Sequence, residues 1–249
     1  HFVETLGLEE YYSAAMYEEE ALATLDTIWA TRDYAVMCGG SMMYIDAVTK
    51  GIDPLPTISA DIRDKALDIY NKGGIPALIN TLRTLDPAYL TDCDLNNHRR
   101  LVHAIEISLQ GGVPYSSLRS GESKKRTFRV IKMAINHSRE ALFDRINHRV
   151  DAMIEAGLEQ EAARVYPLRH LNSLNTVGYK ELFAMMDGTM PRETAIPRIA
   201  KNTRVYAKKQ LLWLSKDPSV ILLDPASPLL PQAMAAIRES EQSPRQSSE

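Results

Sequence analysis

Gly39-Gly40-Ser41 is the first group in the chain whose residue types could do chemistry. It follows the short apolar run 34–38 (YAVMC) and precedes a segment of helical character. Glycine lets backbone N–H groups approach an anion closely, and a helix N-terminus favours negative charge. Ser41 adds a hydroxyl donor. Such a turn suits a diphosphate, and it equally suits a tight turn with a serine cap. Arg145 and Arg149, four apart on one side of a long helical segment with Arg139 upstream, offer guanidinium forks that match phosphate oxygens. A solvated helix face shows the same spacing. Lys201, Arg204 and Lys208 fall at steps of three and four and form a basic stripe, with Ile199, Thr203, Tyr206, Gln210 and Trp213 on the opposite side. Asn96, Arg99, Arg100 and His103 occupy neighbouring turns of another helix, where they could meet a nucleic-acid backbone. The chain contains no metal-ligand cluster, no Ser-His-Asp order and no P-loop motif.

These groups need elements to position them. Ser13 can cap a helix over 13–31, and residues 34–38 read as a buried strand ending at Gly39-Gly40. Ser41 opens a second helix to about residue 50. Helix, strand, Gly-Gly, helix is the rhythm of an α/β protein with a parallel sheet. Pro54 and Pro56 break the chain, and helices are expected near 60–73, 75–84 and 96–110. The last of these carries Leu101, Ala104, Ile105 and Leu109 at helical spacing. Residues 111–126 read as a loop, and 128–135 as a returning strand. Leu142, Ile146, Val150, Ile154 and Leu158 recur every four residues, with Gly157 inside that helix or breaking it. A final helix is expected over 192–213 and a strand over 220–223. The domain reading is an α/β core over 1–56 and 127–225, a helical insertion over 57–126, and a disordered tail over 226–249.

A chain of 249 residues, 45% hydrophobic and 24% charged, can bury a substantial core. No apolar run approaches the roughly 20 residues of a membrane span, and the N-terminus HFVETLGLEE does not read as a signal peptide. Cys38 and Cys93 make no metal spacing or disulfide framework, so a reduced cytoplasmic setting is expected, with a monomer and no membrane partner. The net charge of −3 hides an uneven distribution. Residues 1–33 hold eight acids and one Lys/Arg base, whereas 196–216 hold six bases and no acid. A near-neutral total can conceal a basic face that attracts phosphates.

Six segments in order resemble one family, the tRNA dimethylallyltransferases, also called tRNA isopentenyltransferases. They are GGSMMY (39–44), GIDPLPTISADIR (51–63), DPAYLTDCDLNNHRRLVHAIEI (86–107), RINHRVDAMIEAGLEQE (145–161), NTVGYKEL (175–182) and TRVYAKKQLLWL (203–214). The resemblance covers about residues 1–225. It implies a P-loop NTPase-like core of nucleotide-binding, ATP-binding type with a parallel sheet and a helical insertion. It implies transfer of a dimethylallyl group from dimethylallyl diphosphate to N6 of the adenosine 3′ of the tRNA anticodon, position 37, assisted by Mg²⁺. By motif, Ser41 takes the place of the family threonine at the reaction centre and Arg149 that of the arginine on the diphosphate, with Gly39, Gly40 and Arg204 beside them. Arg63, the run Arg99, Arg100, Leu101, Val102 and His103, and the turn Val177, Gly178, Tyr179 and Lys180 fall at tRNA-contacting positions, while the resemblance puts the last helix beside the substrate cleft, where the stripe residues Lys201 and Lys208 are expected to hold tRNA phosphates. Asp94, Asn97 and His103 stand where the family has His, Asp and Arg, and Lys209 stands for an arginine. The family's P-loop and its Asp-Ser-x-Gln segment, with the general-base aspartate, have no counterpart in the chain, and no metal ligand is assigned within it.

Two further readings share the motifs: a P-loop kinase-like phosphotransferase, because the Gly-Gly turn and arginines also suit a nucleotide, and a non-catalytic RNA-binding module. The absence of the lysine and the base predicts that residues 1–249 alone, mixed with dimethylallyl diphosphate, Mg²⁺ and tRNA, form no N6-prenyl adenosine. Mass spectrometry of the digested nucleosides checks this, and robust product formation would refute it.

Overall fold

A computed structural model describes residues 1–242. In chain order the helices are α1 (Ala14–Trp29), α2 (Met42–Thr49), α3 (Ala60–Leu85), α4 (Tyr89–Asp92), α5 (His98–Gly111), α6 (Tyr115–Leu118), α7 (Arg139–Glu155), α8 (Leu158–Val165), α9 (Tyr179–Met186), α10 (Arg192–Leu214) and α11 (Leu229–Gln242). Two short strands, β1 (Met133–Ile135) and β2 (Ile221–Leu223), pair in parallel with Met133 opposite Ile221 and Ile135 opposite Leu223. The chain is thus helix-rich with a small parallel sheet. It divides into two units, one of residues 1–13, 31–45 and 127–242, the other of 14–30 and 46–126. The helical stretch expected at 57–126 falls in the second unit, together with α1 and the end of α2.

The second unit is built on α3 and α5. Ala66, Leu78 and Leu82 of α3 bury against Leu101, Val102, Ala104 and Ile105 of α5, with Tyr89 beside them. The two helices expected at 60–73 and 75–84 form one kinked element, bent at Gly74 and carrying Pro76 just beyond the bend. Asn97 caps α5, its Oδ1 accepting from Arg100 N at 3.3 Å. Two buried acids tie this unit together. Asp86, with no exposed surface, accepts from Tyr89 N (3.0 Å), Ser116 N (2.6 Å) and Ser116 Oγ (2.7 Å). It therefore holds the start of α4 to α6, inside the stretch expected to be loop. Glu18 of α1 accepts from Lys124 Nζ (2.9 Å), Arg126 Nη2 (2.7 Å) and Ile52 N (2.9 Å), and Arg126 also donates to Ala47 O (2.8 Å).

In the first unit the core joins Val150 of α7, Ala162 of α8, Leu182 and Phe183 of α9, and Ile199 and Ala200 of α10. Ser138 caps α7, accepting from Ala141 N at 3.2 Å, and Gly157 separates α7 from α8. Lys132 and Asp217 form an ion pair at 2.7 Å beside the two strands. That bond holds the Asp217 carboxyl well below the usual carboxylate range.

Three expectations are corrected. Residues 34–38 belong to no helix or strand and join no ladder, and Val36 is 93% exposed. An apolar run forms a strand only where a neighbour offers its N–H and C=O groups, and the one ladder among the described residues is β1 with β2. The strand expected over 128–135 shrinks to three residues for the same reason. The tail expected to be disordered from 226 contains α11, whose Ala236 is buried. Residues 243–249 of that tail lie outside the described residues.

Burial raises the affinity of Glu18 for a proton, but the bonds from Arg126 and Lys124 more than offset this and leave its pKa below the ordinary value. A depressed carboxyl pKa stabilises the fold above the unfolded value of about 4.3, and that stabilisation is lost as pH falls through the folded value. Glu18→Ala strands the buried Arg126 head group and should cost about 3 kcal/mol in urea unfolding at pH 7. The deficit should shrink below pH 4, where wild type loses the same interaction. An equal deficit at both pH values would deny Glu18 this role.

Candidate active site

The Gly39-Gly40-Ser41 turn leads into α2, and Ser41 O accepts the first helical bond from Ile45 N at 3.0 Å. The turn is fastened to α10. Gly40 O accepts from Gln210 Nε2 at 2.8 Å and from Tyr206 Oη at 3.1 Å. Glycine at 40 is a matter of space, since a Cβ there would lie 2.4 Å from Gln210 Nε2. Gly39 has open space around it.

A second turn hangs from the same helix. Gly178 adopts φ 104° and ψ −67°, a conformation open to glycine but not to residues with a Cβ. Its N–H donates to Glu181 Oε2 at 2.8 Å, and Glu181 Oε1 accepts from Asn202 Nδ2 at 2.6 Å. Glu181 is buried, so both bonds satisfy a carboxylate that water does not reach. Val177 and Lys180 are exposed beside it. Tyr179 stacks on Phe183 with centroids 5.8 Å apart and donates to Glu161, a bond that pushes its hydroxyl pKa up to about 12. Asn202, Tyr206 and Gln210 are each four apart, so they form one row on α10.

The arginines do not gather at one point. Arg204 is half-buried, donates from Nη1 to Asn147 Oδ1 at 2.6 Å, and lies 5.6 Å from the Phe143 ring centroid. Arg139 covers the same ring at 5.2 Å, and these side chains line an open groove with Glu140 and Asp144. Arg149 is exposed and has no ion-pair partner among the described residues. It follows Asn147 by two residues, which places it roughly 200° further round α7 from the side that Arg204 touches. Arg145 is exposed as well. Lys201 and Lys208 are exposed and make no ion pair among the described residues, so Arg204 alone leaves the basic stripe for a fixed partner.

In the second unit Arg99, Arg100 and His103 are exposed and, with Arg119, surround Tyr89 and Tyr115. His103 also approaches Glu106 at 3.6 Å. Arg63 is half-buried on α3. Leu101 and Val102, expected to face a nucleic acid, are instead core residues at 0% and 7% exposure. The apolar stripe of α5 turns them towards α3, and only the arginines and His103 stay outside. Among the described residues no three His, Cys, Asp or Glu side chains gather as a metal site, and no helix is long and apolar enough to cross a membrane.

Sequence reasoning placed Tyr206 and Gln210 opposite the basic stripe but gave them no task, and it passed over Asn202 and Glu181. The available signal was their four-residue spacing on a helix whose charged face was already accounted for. If the Gln210 amide occupies the space a Cβ would need, Gly40→Ala should lower stability by about 1 kcal/mol as that bond is displaced. In a Gln210→Ala background the same change should be nearly silent, a coupling of about 1 kcal/mol in a thermal-unfolding cycle. Additive effects would refute the close approach.

The profile of the IPP transferase family matches residues 1–217. A tRNA dimethylallyltransferase 2 of Azobacteroides pseudotrichonymphae is 47% identical over 220 residues, 88% of this chain and 72% of the relative. A tRNA dimethylallyltransferase 1 of Phocaeicola vulgatus is 47% identical over 225 residues, 90% of this chain and 75% of the relative. Among solved structures, the full-length tRNA isopentenylpyrophosphate transferase of Bacillus halodurans matches 97% of this chain and 77% of its own, with a TM-score of 0.63 at 28% identity. A eukaryotic dimethylallyltransferase acting on tRNA shares the fold, with a TM-score of 0.76 at 22% identity over 97% of this chain and 66% of its own. With the family profile spanning most of its length and relatives this similar, the chain belongs to the IPP transferase family.

Proposed function

We propose that the protein transfers a dimethylallyl group from dimethylallyl diphosphate to N6 of adenosine 37, 3′ of the anticodon in tRNA. The observation that carries this reading is the 47% identity to a tRNA dimethylallyltransferase across 88% of the chain. In the proposed reaction the allylic C–O bond breaks, an N6–C bond forms and the N6 proton leaves. The exocyclic amine of adenine is a poor nucleophile, so a carboxylate takes that proton as the bond forms. The resemblance gives this task to an aspartate of a motif not found in residues 1–249. The leaving diphosphate gains charge and needs donors already in place.

The Gly39-Gly40-Ser41 turn supplies such donors in this reading, through its N–H groups and the Ser41 hydroxyl. Arg149, a cation without an ion-pair partner among the described residues, is the proposed diphosphate clamp. Arg204 is a second candidate, although it must give up Asn147 to reach a ligand. The base must leave its stack to react. Each unit carries proposed tRNA-contacting residues of its own, Arg63, Arg99, Arg100 and His103 in one, and the turn 177–180 with Lys201 and Lys208 in the other. The finer architecture, a P-loop NTPase-like nucleotide-binding core with a helical insertion, belongs to the same proposal, as does a cytoplasmic setting alongside tRNA. The described acidic residues form no ligand set for Mg²⁺, so no step here runs through it. No observation favours the kinase-like or purely RNA-binding alternative.

The test is the complete gene product assayed with dimethylallyl diphosphate and a tRNA carrying A37. Nucleoside mass spectrometry should show N6-dimethylallyl adenosine. Arg149→Ala should lower kcat/KM by on the order of a hundredfold while leaving the fold intact, as loss of a transition-state donor commonly does. An unchanged kcat/KM would remove Arg149 from the site, and failure to modify tRNA at all would overturn the reading.

A further inference from the structure

We infer that Tyr206 and Gln210 are positioning residues for the transfer, holding the Gly40–Ser41 peptide so that Ser41 N–H stays directed at the leaving diphosphate. The inference rests on the turn being the diphosphate contact. A carbonyl oxygen has two lone pairs. Both of those on Gly40 have a donor, Gln210 Nε2 at 2.8 Å and Tyr206 Oη at 3.1 Å. In a trans peptide the C=O of one residue and the N–H of the next point to opposite sides of the chain. Two bonds to Gly40 O therefore also fix the direction of Ser41 N–H, on the side away from those two α10 side chains. That N–H lies ahead of the first helical bond of α2, and it has no acceptor among the described residues.

The need for fixing follows from the glycines themselves. Gln210 comes so close that a Cβ on residue 40 would displace its amide. Residue 39 is also glycine, and glycine reaches positive φ as readily as negative. A Gly-Gly turn can therefore rotate its peptide planes at low cost, which would swing the Ser41 donor away from an anion. A donor that must reorient during bond breaking contributes less than one already aligned. Gln210 and Tyr206 remove that freedom from outside the ligand's space. They touch the backbone behind the donor and need no contact with the diphosphate.

The experiment uses the complete gene product, dimethylallyl diphosphate and a tRNA transcript, with Tyr206→Phe, Gln210→Ala, their double variant and Ser41→Ala as a reference. Each single variant leaves one bond on Gly40 O, so each should lose less than about fivefold in kcat/KM for the donor, whereas the double variant should lose about fiftyfold, more than the product of the singles. KM for tRNA should stay at its parental value, and the unfolding temperature should fall only by the few degrees that loss of about 1 kcal/mol with the Gln210 bond implies, because Tyr206 is half-exposed and neither side chain lies in the core clusters. A double variant within about twofold of the parent, beside a Ser41→Ala enzyme reduced tenfold or more, would overturn the inference and leave the diphosphate reading standing. A double variant with a lowered unfolding temperature and unaltered kcat/KM for the donor would also overturn it, since that is the mark of a merely structural bond. A Ser41→Ala enzyme keeps the backbone N–H, so parental kinetics there together with a double variant within about twofold of the parent would remove the turn from the diphosphate site, and the inference would fall with it.

Discussion

The four-residue period of α10 is the constraint on which the candidate site depends. Asn202, Tyr206 and Gln210 form one row because an α-helix returns to nearly the same side every four residues. From that row two turns are held, Gly178 through the buried Glu181 carboxylate and Gly40 directly through its carbonyl. A rigid rod carrying both contacts fixes the spacing between the turns to within the stiffness of two helical turns. The opposite side of α10 is left to Lys201 and Lys208, which need no structural partner there. One helix thus separates the work of holding backbone from the work of presenting charge.

Much of this was legible in the sequence, for a physical reason. The helices were visible because their apolar residues recur at helical spacing over many turns, as Leu101, Ala104 and Ile105 do on α5. The break at Gly74 and the end of α7 before Gly157 were marked by the residues that cause them. Residues 34–38 misled because an apolar, partly β-branched run records only a preference. Whether it becomes a strand depends on a neighbour that local sequence does not describe, and here Tyr34 donates to Glu241 of α11 while Val36 stays open. Leu101 and Val102 misled in the opposite sense. A motif match names a segment, whereas the helix turns Leu101 and Val102 of that segment inward and leaves Arg99, Arg100 and His103 outside.

The site was legible in its charges and hidden in its supports. Arg149, Arg204 and the Gly-Gly turn announce themselves by residue type. Their placement does not, because Arg204 selects Asn147 on one side of α7 and Arg149 stands on another. Asn202, Glu181, Tyr206 and Gln210 are ordinary helix residues, and each acquires its task only from what the fold brings against it. Sequence distance explains this, since Gly40 and Gln210 are separated by 170 positions.

Glu18 sets a timetable for synthesis. Its cationic partners lie 106 and 108 residues further along the chain. At about 5–20 residues per second on the ribosome, the carboxylate is made roughly 5–20 s before Lys124 and Arg126 exist to meet it. During that interval α1 cannot bury this acid without stranding a charge, so it must wait in water while α3 and α5, close in sequence, already pack together. The unit of residues 14–30 and 46–126 therefore gains its oldest segment last. A translational pause at any point before Arg126 has emerged would prolong the exposure of α1 to proteases and chaperones.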